Sequence, residues 1–151
     1  MKKIYLAILS FFIVAAVFAQ IENPVKWSYT AKKVSDKVYD IYVTATLDPH
    51  WHIYAQEAGD GPEPTSLTFG KNPLVSFEGK TKEEGKLEKQ YDENFKSVLK
   101  FYSSKVSFVQ RIKLKSAVTT VVKGSVNFMV CNDHKCLPPK EVPFTVKIGG
   151  K

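Results

Sequence analysis

The chain holds two cysteines, Cys131 and Cys136, with Asn132, Asp133, His134 and Lys135 between them. A thiol pair this close can close a structural disulfide, exchange disulfides with another protein, or contribute ligands to a metal. The surrounding stretch, NFMVCNDHKCLPPKEVPF from Asn127 to Phe144, is apolar and β-prone on either side of the four polar residues. That composition predicts a hairpin loop with the cysteines facing each other at its base. Opposed residues in an antiparallel pair have Cα atoms ~4.5–5.5 Å apart and a disulfide spans roughly 4.4–6.8 Å, so the bond closes with little backbone movement.

Loop length argues against a pure staple. On the chain-entropy model a six-residue ring contributes only about 2 kcal/mol, against about 4.4 kcal/mol for one spanning some 70 residues. Positive charge on His134 and Lys135 would favour the thiolate that attacks disulfides, and Asp133 opposes it. A metal-handling alternative adds His50 and His52, whose spacing would put both imidazoles on one strand face. The cysteine spacing differs from the usual two-residue knuckle, and the sequence assigns no metal and no cofactor. Structural staple and exchange pair both remain open on the residues alone.

The run Cys131-Asn-Asp-His-Lys-Cys136-Leu-Pro-Pro-Lys-Glu-Val-Pro-Phe resembles the signature C-x(4–5)-C-[YL]-P-P-x(2)-V-P-[FL] of the amino-terminal periplasmic domain of the thiol:disulfide interchange protein DsbD family. Upstream, His50-Trp51-His52-Ile53-Tyr54 resembles the family's aromatic strand end, and Tyr91-Asp92-Glu93-Asn94-Phe95 resembles the loop that caps its disulfide. The resemblance covers nearly all of the chain after its leader. It implies an immunoglobulin-like fold with the cysteines on its last hairpin. It also implies that Cys136, just before Pro138 and Pro139, exchanges with partners, and that Cys131 resolves. Phe95 with Asp92 and Glu93 would form the cap, and His52, Tyr54 and His134 would surround the pair. The implied electron donor is a membrane-embedded thiol reductase acting through a thioredoxin-like domain, and the acceptors are periplasmic disulfide-bonded proteins. Leu137 stands where tyrosine is common in the family, and the family's transmembrane and thioredoxin-like domains are not in this sequence, so a standalone domain is expected to depend on a separate reductase.

The elements that must position these residues read as strands throughout. Val25, Trp27, Tyr29 and Ala31 alternate with polar residues, and after a turn at Ser35-Asp36-Lys37 so do Tyr39, Ile41, Val43, Ala45 and Leu47. Short strands are expected at Ser66 to Phe69 and Leu74 to Glu78, with a charged turn region or exposed strand from Gly79 to Lys89. Val106, Phe108, Ile112 and Leu114 share a face on which Gln110 is the odd member. Val122, Val126, Phe128 and Val130 lead into Cys131, and Val142, Phe144, Val146 and Ile148 follow the hairpin. Eight or so short strands without helical periodicity predict an all-β, two-sheet antiparallel sandwich.

At 151 residues, 44% hydrophobic and 25% charged, the chain suits one domain with a sizeable core. Lys2 and Lys3, the apolar run Ile4 to Phe18, and Val17-Phe18-Ala19 read as a cleavable signal peptide over 1–19, leaving a domain at 20–151 that is exported to the periplasm as a soluble monomer. Loss of Lys2 and Lys3 with the leader lowers the net charge from +7 to +5. The remaining lysines are scattered rather than clustered, so no nucleic-acid partner is expected. The sequence carries no Gly-rich phosphate loop, no G-x-S-x-G elbow and no C-x-x-C, so no helix amino-terminus is expected to activate a thiol. The rival to an exchange protein is a secreted immunoglobulin-like binding module with an inert disulfide.

Overall fold

Every regular element among the described residues, 22–149 of the computed structural model, is a β-strand. The expected signal peptide at 1–19 lies outside them. The strands are β1 (Val25–Ser35), β2 (Val38–Leu47), β3 (His52–Tyr54), β4 (Ser66–Phe69), β5 (Val75–Gly85), β6 (Glu88–Asp92), β7 (Ser97–Tyr102), β8 (Lys105–Leu114), β9 (Thr120–Phe128), β10 (Val130–Cys131) and β11 (Lys140–Ile148). All their pairings are antiparallel. More strands form than the eight or so expected: β4 falls where it was expected, whereas β7 was not foreseen as a strand and β10 splits from β9 at Met129.

One layer is the sheet β1-β2-β8-β5. Its first hairpin turns where expected, with Lys37 in the left-handed region at φ 60°. Strand β5 runs well past Glu78 to Gly85, so the charged stretch is mostly an exposed strand. It stays paired with β8 by bulging between Glu78 and Lys82, where Gly79 takes φ 68°. Gln110 fills that bulge from the buried face of β8. Its Nε2 donates to the carbonyls of Glu78 at 3.1 Å and Arg111 at 2.9 Å, and its Oε1 accepts from the Thr81 hydroxyl at 2.9 Å. A polar residue on an apolar face is satisfied there by the backbone groups that the bulge leaves unpaired.

The second layer comprises β11-β9-β4 and β10-β3-β7-β6. Strand β9 pairs with β11 up to Phe128 opposite Lys140, then runs through Met129 into β10, which pairs with β3 instead: Val130 opposite Ile53 and Cys131 opposite His52. This change of partner carries the first cysteine to the aromatic strand. Between the layers lie Ile41, Val43, Val106, Phe108, Ile112, Val122, Val126 and Ile148, each 0–1% exposed. Burial at about 25 cal/mol per Å² makes this cluster the main source of stability.

Candidate functional site

Cys131 and Cys136 are joined in a disulfide with Cα atoms 4.0 Å apart. They form an antiparallel bridge flanked by hydrogen bonds from Asn132 N to Lys135 O at 2.8 Å and from Leu137 N to Val130 O at 2.9 Å. The cysteines are therefore a non-hydrogen-bonded pair, the closer of the two antiparallel kinds, which accounts for a separation shorter than the sequence led one to expect. The loop between them is held from within: Asn132 Oδ1 accepts from the backbone N–H groups of His134 and Lys135, both at 2.9 Å.

The two sulfurs have unequal surroundings. Cys131 is 2% exposed, packed with Tyr54, Ala58, Leu99, Phe101 and Met129, whereas Cys136 is exposed. Because β3 alternates, Ile53 points into the main core while His52 and Tyr54 turn to the cysteine side. The Tyr54 hydroxyl donates to Cys131 Sγ at 3.2 Å, and His52 Nε2 lies 3.4 Å from the same hydroxyl oxygen. The His52 ring meets Tyr54 edge-on at 5.3 Å and lies 4.6 Å from the Phe101 ring. Burial pushes the Tyr54 phenol up, and the Asp92 carboxylate adds to that shift. Burial also pushes His52 below the ordinary imidazole range, although Asp133, Glu88 and Asp92 pull the other way.

Both cysteines open onto a cleft of about 510 Å³ whose walls include His52, Tyr54, Asp92, Phe95 and His134. The β6–β7 turn supplies one wall. Asp92 Oδ1 accepts from the N–H groups of Asn94 at 2.8 Å and Phe95 at 3.1 Å, and Lys96 takes φ 51°, so the turn is locally self-supporting. The Phe95 ring lies on Gly61, where any side chain would collide with it and where φ is 123°. Asp60 N donates to Ser97 Oγ at 3.1 Å, fastening the same loop to β7.

The cleft thus brings together most of the residues that the sequence singled out, but not all. Glu93 is exposed and does not line it. Pro138 and Pro139 face a separate, more apolar groove with Leu137, Phe128 and Val130. His50 sits in a turn at φ 68° rather than on the strand, so it does not share a strand face with His52, although both reach the cleft. Phe95 is 40% exposed and lines the same cleft as Cys136, which is itself exposed. Among the described residues no group of three or more His, Cys, Asp and Glu is placed to hold a metal ion. Phe101 belongs to the aromatic-rich stretch Tyr91 to Tyr102 from which the sequence suggested a shield for the disulfide; sequence reasoning missed Glu88, its cross-strand partner on β6, and Gly61, the seat of Phe95.

A disulfide with one open and one buried sulfur can be attacked from outside at Cys136, with Cys131 leaving toward a hydroxyl donor. Comparison with known proteins bears on that chemistry. The family model for the N-terminal part of thiol:disulfide interchange protein DsbD matches residues 22–147. Among solved structures, the DsbD N-terminal domain of Neisseria meningitidis in the reduced form is 16% identical with a TM-score of 0.53, covering 84% of this chain and 87% of that one. A chain from the complex between the DsbD N-terminal and PilB N-terminal domains of the same organism is 14% identical with a TM-score of 0.51, covering 83% and 87%. The N-terminal periplasmic domain of ScsB from Proteus mirabilis is 14% identical with a TM-score of 0.53; the match covers 82% of this chain but 44% of that one. At such identities the likeness is one of fold, the immunoglobulin-like sandwich that the sequence led us to expect. Comparison with curated protein sequences finds no match.

Proposed function

The chain belongs to the family of DsbD amino-terminal domains, and on that footing we propose that it relays electrons in the periplasm by thiol–disulfide exchange at Cys131 and Cys136. In the reduced protein the Cys136 thiolate attacks a partner disulfide, forming a mixed disulfide and releasing one partner thiolate. Cys131 then attacks Cys136 Sγ, which re-forms the intramolecular bond and releases the second. Two electrons pass to the partner. A membrane-embedded thiol reductase, acting through a thioredoxin-like domain, returns them in the reverse sequence. A cleavable leader at 1–19 would deliver the domain to that compartment.

The observation that carries this reading is the inequality of the sulfurs, with Cys136 exposed at the cleft and Cys131 2% exposed behind it. A staple has no need of such asymmetry, whereas exchange needs one reachable sulfur and one protected resolver. A related DsbD N-terminal domain forms a complex with the PilB N-terminal domain, which supports a protein as the exchange partner here.

Trapping tests it. Cys131→Ser leaves Cys136 able to attack with nothing to resolve the product, so covalent adducts should accumulate on non-reducing gels and vanish with reductant. Cys136→Ser should give few or none. Equal absence of adducts from both variants, together with a bond that resists glutathione, would favour the inert binding module.

A further inference from the structure

The resolving step poses a problem that the exchange reading leaves open. A thiol attacks as thiolate, and a cysteine in apolar surroundings holds its proton more firmly than a free one. Cys131 is buried among Tyr54, Ala58 and Leu99, side chains that offer its thiolate no charge. Its sulfur does have the Tyr54 hydroxyl at 3.2 Å, and that hydroxyl has an imidazole nitrogen, Nε2 of His52, at 3.4 Å.

We propose that His52 is the base for the resolving thiol, taking the Cys131 proton through the Tyr54 hydroxyl as Cys131 attacks the mixed disulfide on Cys136. The proposal rests on the exchange reading and concerns its second step alone. In the oxidised protein Tyr54 donates to the sulfur. In the mixed disulfide the chain runs the other way: the Cys131 thiol gives its proton to the phenol oxygen, and the phenol gives its own to Nε2. The S–S bond to the partner breaks as the Cys131–Cys136 bond forms, the electron pair leaves on the partner sulfur, and His52 ends as imidazolium. That proton then passes through the cleft to the departing thiolate or to water, so no further oxidant or reductant is needed.

The surroundings suit a base. Groups facing His52 are Glu88 and Asp92 from β6, Asp133, His134 and Lys135 from the cysteine loop, and His50 from the preceding turn. The three carboxylates stabilise an imidazolium once it forms, while burial dominates and keeps the ring neutral, hence able to accept, at neutral pH. Tyr54, held protonated by burial, serves as a carrier rather than as the base.

Reduced protein mixed with one equivalent of the aromatic disulfide dithiobis(nitrobenzoate) reads both steps. Release of the first thionitrobenzoate reports attack by Cys136, and release of the second reports resolution by Cys131. In the wild type the second rate should be level from pH 7 to 8 and fall only below the His52 midpoint, on the acid side of about 6.5. In His52→Phe, which keeps a ring against Phe101, it should instead climb about tenfold per pH unit through neutrality, as free thiolate does, and be on the order of 100-fold slower at pH 7. Tyr54→Phe should show the same climb although His52 is intact, which a through-space charge effect of His52 would not produce. A level profile retained in either variant overturns the proposal, and circular dichroism confirms that each is folded. Loss of the first phase would count against exchange at Cys136, whereas an altered second phase with the first intact speaks to His52 alone.

Discussion

This sandwich carries two apolar clusters with opposite tolerances. The larger, between the layers, is sealed: Ile41, Val43, Val106, Phe108, Ile112, Val122 and Val126 are 0% exposed and carry no polar side-chain atom. The smaller consists of Tyr54, Ala58, Leu99 and Cys131 with Phe101 and Met129 against it, and it places a hydroxyl and a sulfur at the wall of an open cleft. The same chain builds both, since Val130 belongs to the first and Cys131, the next residue, to the second. Strand alternation makes that division possible, with one side chain sent to the face that packs the main core and its neighbour to the face that carries the disulfide. Chemistry at the second cluster can therefore change without disturbing the first.

That division can be broken most directly by truncation in the larger cluster. Phe128 is 3% exposed with the Trp27 ring edge-on at 5.1 Å, and Phe128→Ala should lower unfolding free energy by about 3–5 kcal/mol in a urea titration. Replacing both Cys131 and Cys136 with alanine should cost only about 2 kcal/mol, the entropy of a six-residue ring, with the β circular dichroism unchanged. If the double variant unfolds while Phe128→Ala barely shifts the midpoint, the disulfide is the staple and the division is inverted.

Legibility in the sequence followed the same division. Strict alternation in Tyr39, Ile41, Val43 and in Val126, Phe128, Val130 exposed the larger cluster, because a two-sided strand with one buried face has only one consistent register. The cysteine loop was legible because four polar residues between apolar runs admit few conformations. The cleft walls were less so. Glu88 and Phe101 meet through a pairing of β6 with β7 that no periodicity specifies, and Gly61 matters only because Phe95, 34 positions later, lies on it. His50 was misplaced onto a strand because a single residue at φ 68° reverses its direction, and nothing in the sequence of that residue demands it. Contacts between short strands and loops depend on tertiary closure, which local pattern does not encode.

The smallest effect expected is also the one that separates the two regions by pH alone. In the main sheet Asp40 forms a two-pronged pair with Arg111, Nε to Oδ1 at 2.8 Å and the guanidinium NH2 to Oδ2 at 2.9 Å, and the hydrogen bond from Arg111 holds its carboxyl below the ordinary range. A carboxyl depressed on folding gives its full stabilisation above the unfolded value of about 3.9 and loses it as pH falls through the folded one. His52 works in a different window. Burial depresses it on folding, so below about 6.5 the unfolded chain takes up a proton before the folded one does, and stability declines from there down to the folded value. Above about 6.5 both states are neutral and His52 has no influence. Melting midpoints of the oxidised protein should therefore fall in two stages, a shallow one that sets in as pH drops through about 6.5 and that His52→Phe flattens, and another below about 3.9 that Asp40→Asn flattens. Should His52→Phe leave the first stage unchanged, the imidazole is not buried as described, and the cysteine cluster and the main sheet are not electrostatically separate. If each variant flattens only its own stage, the region around the cysteines titrates on its own, in a higher pH window than the region that holds the fold.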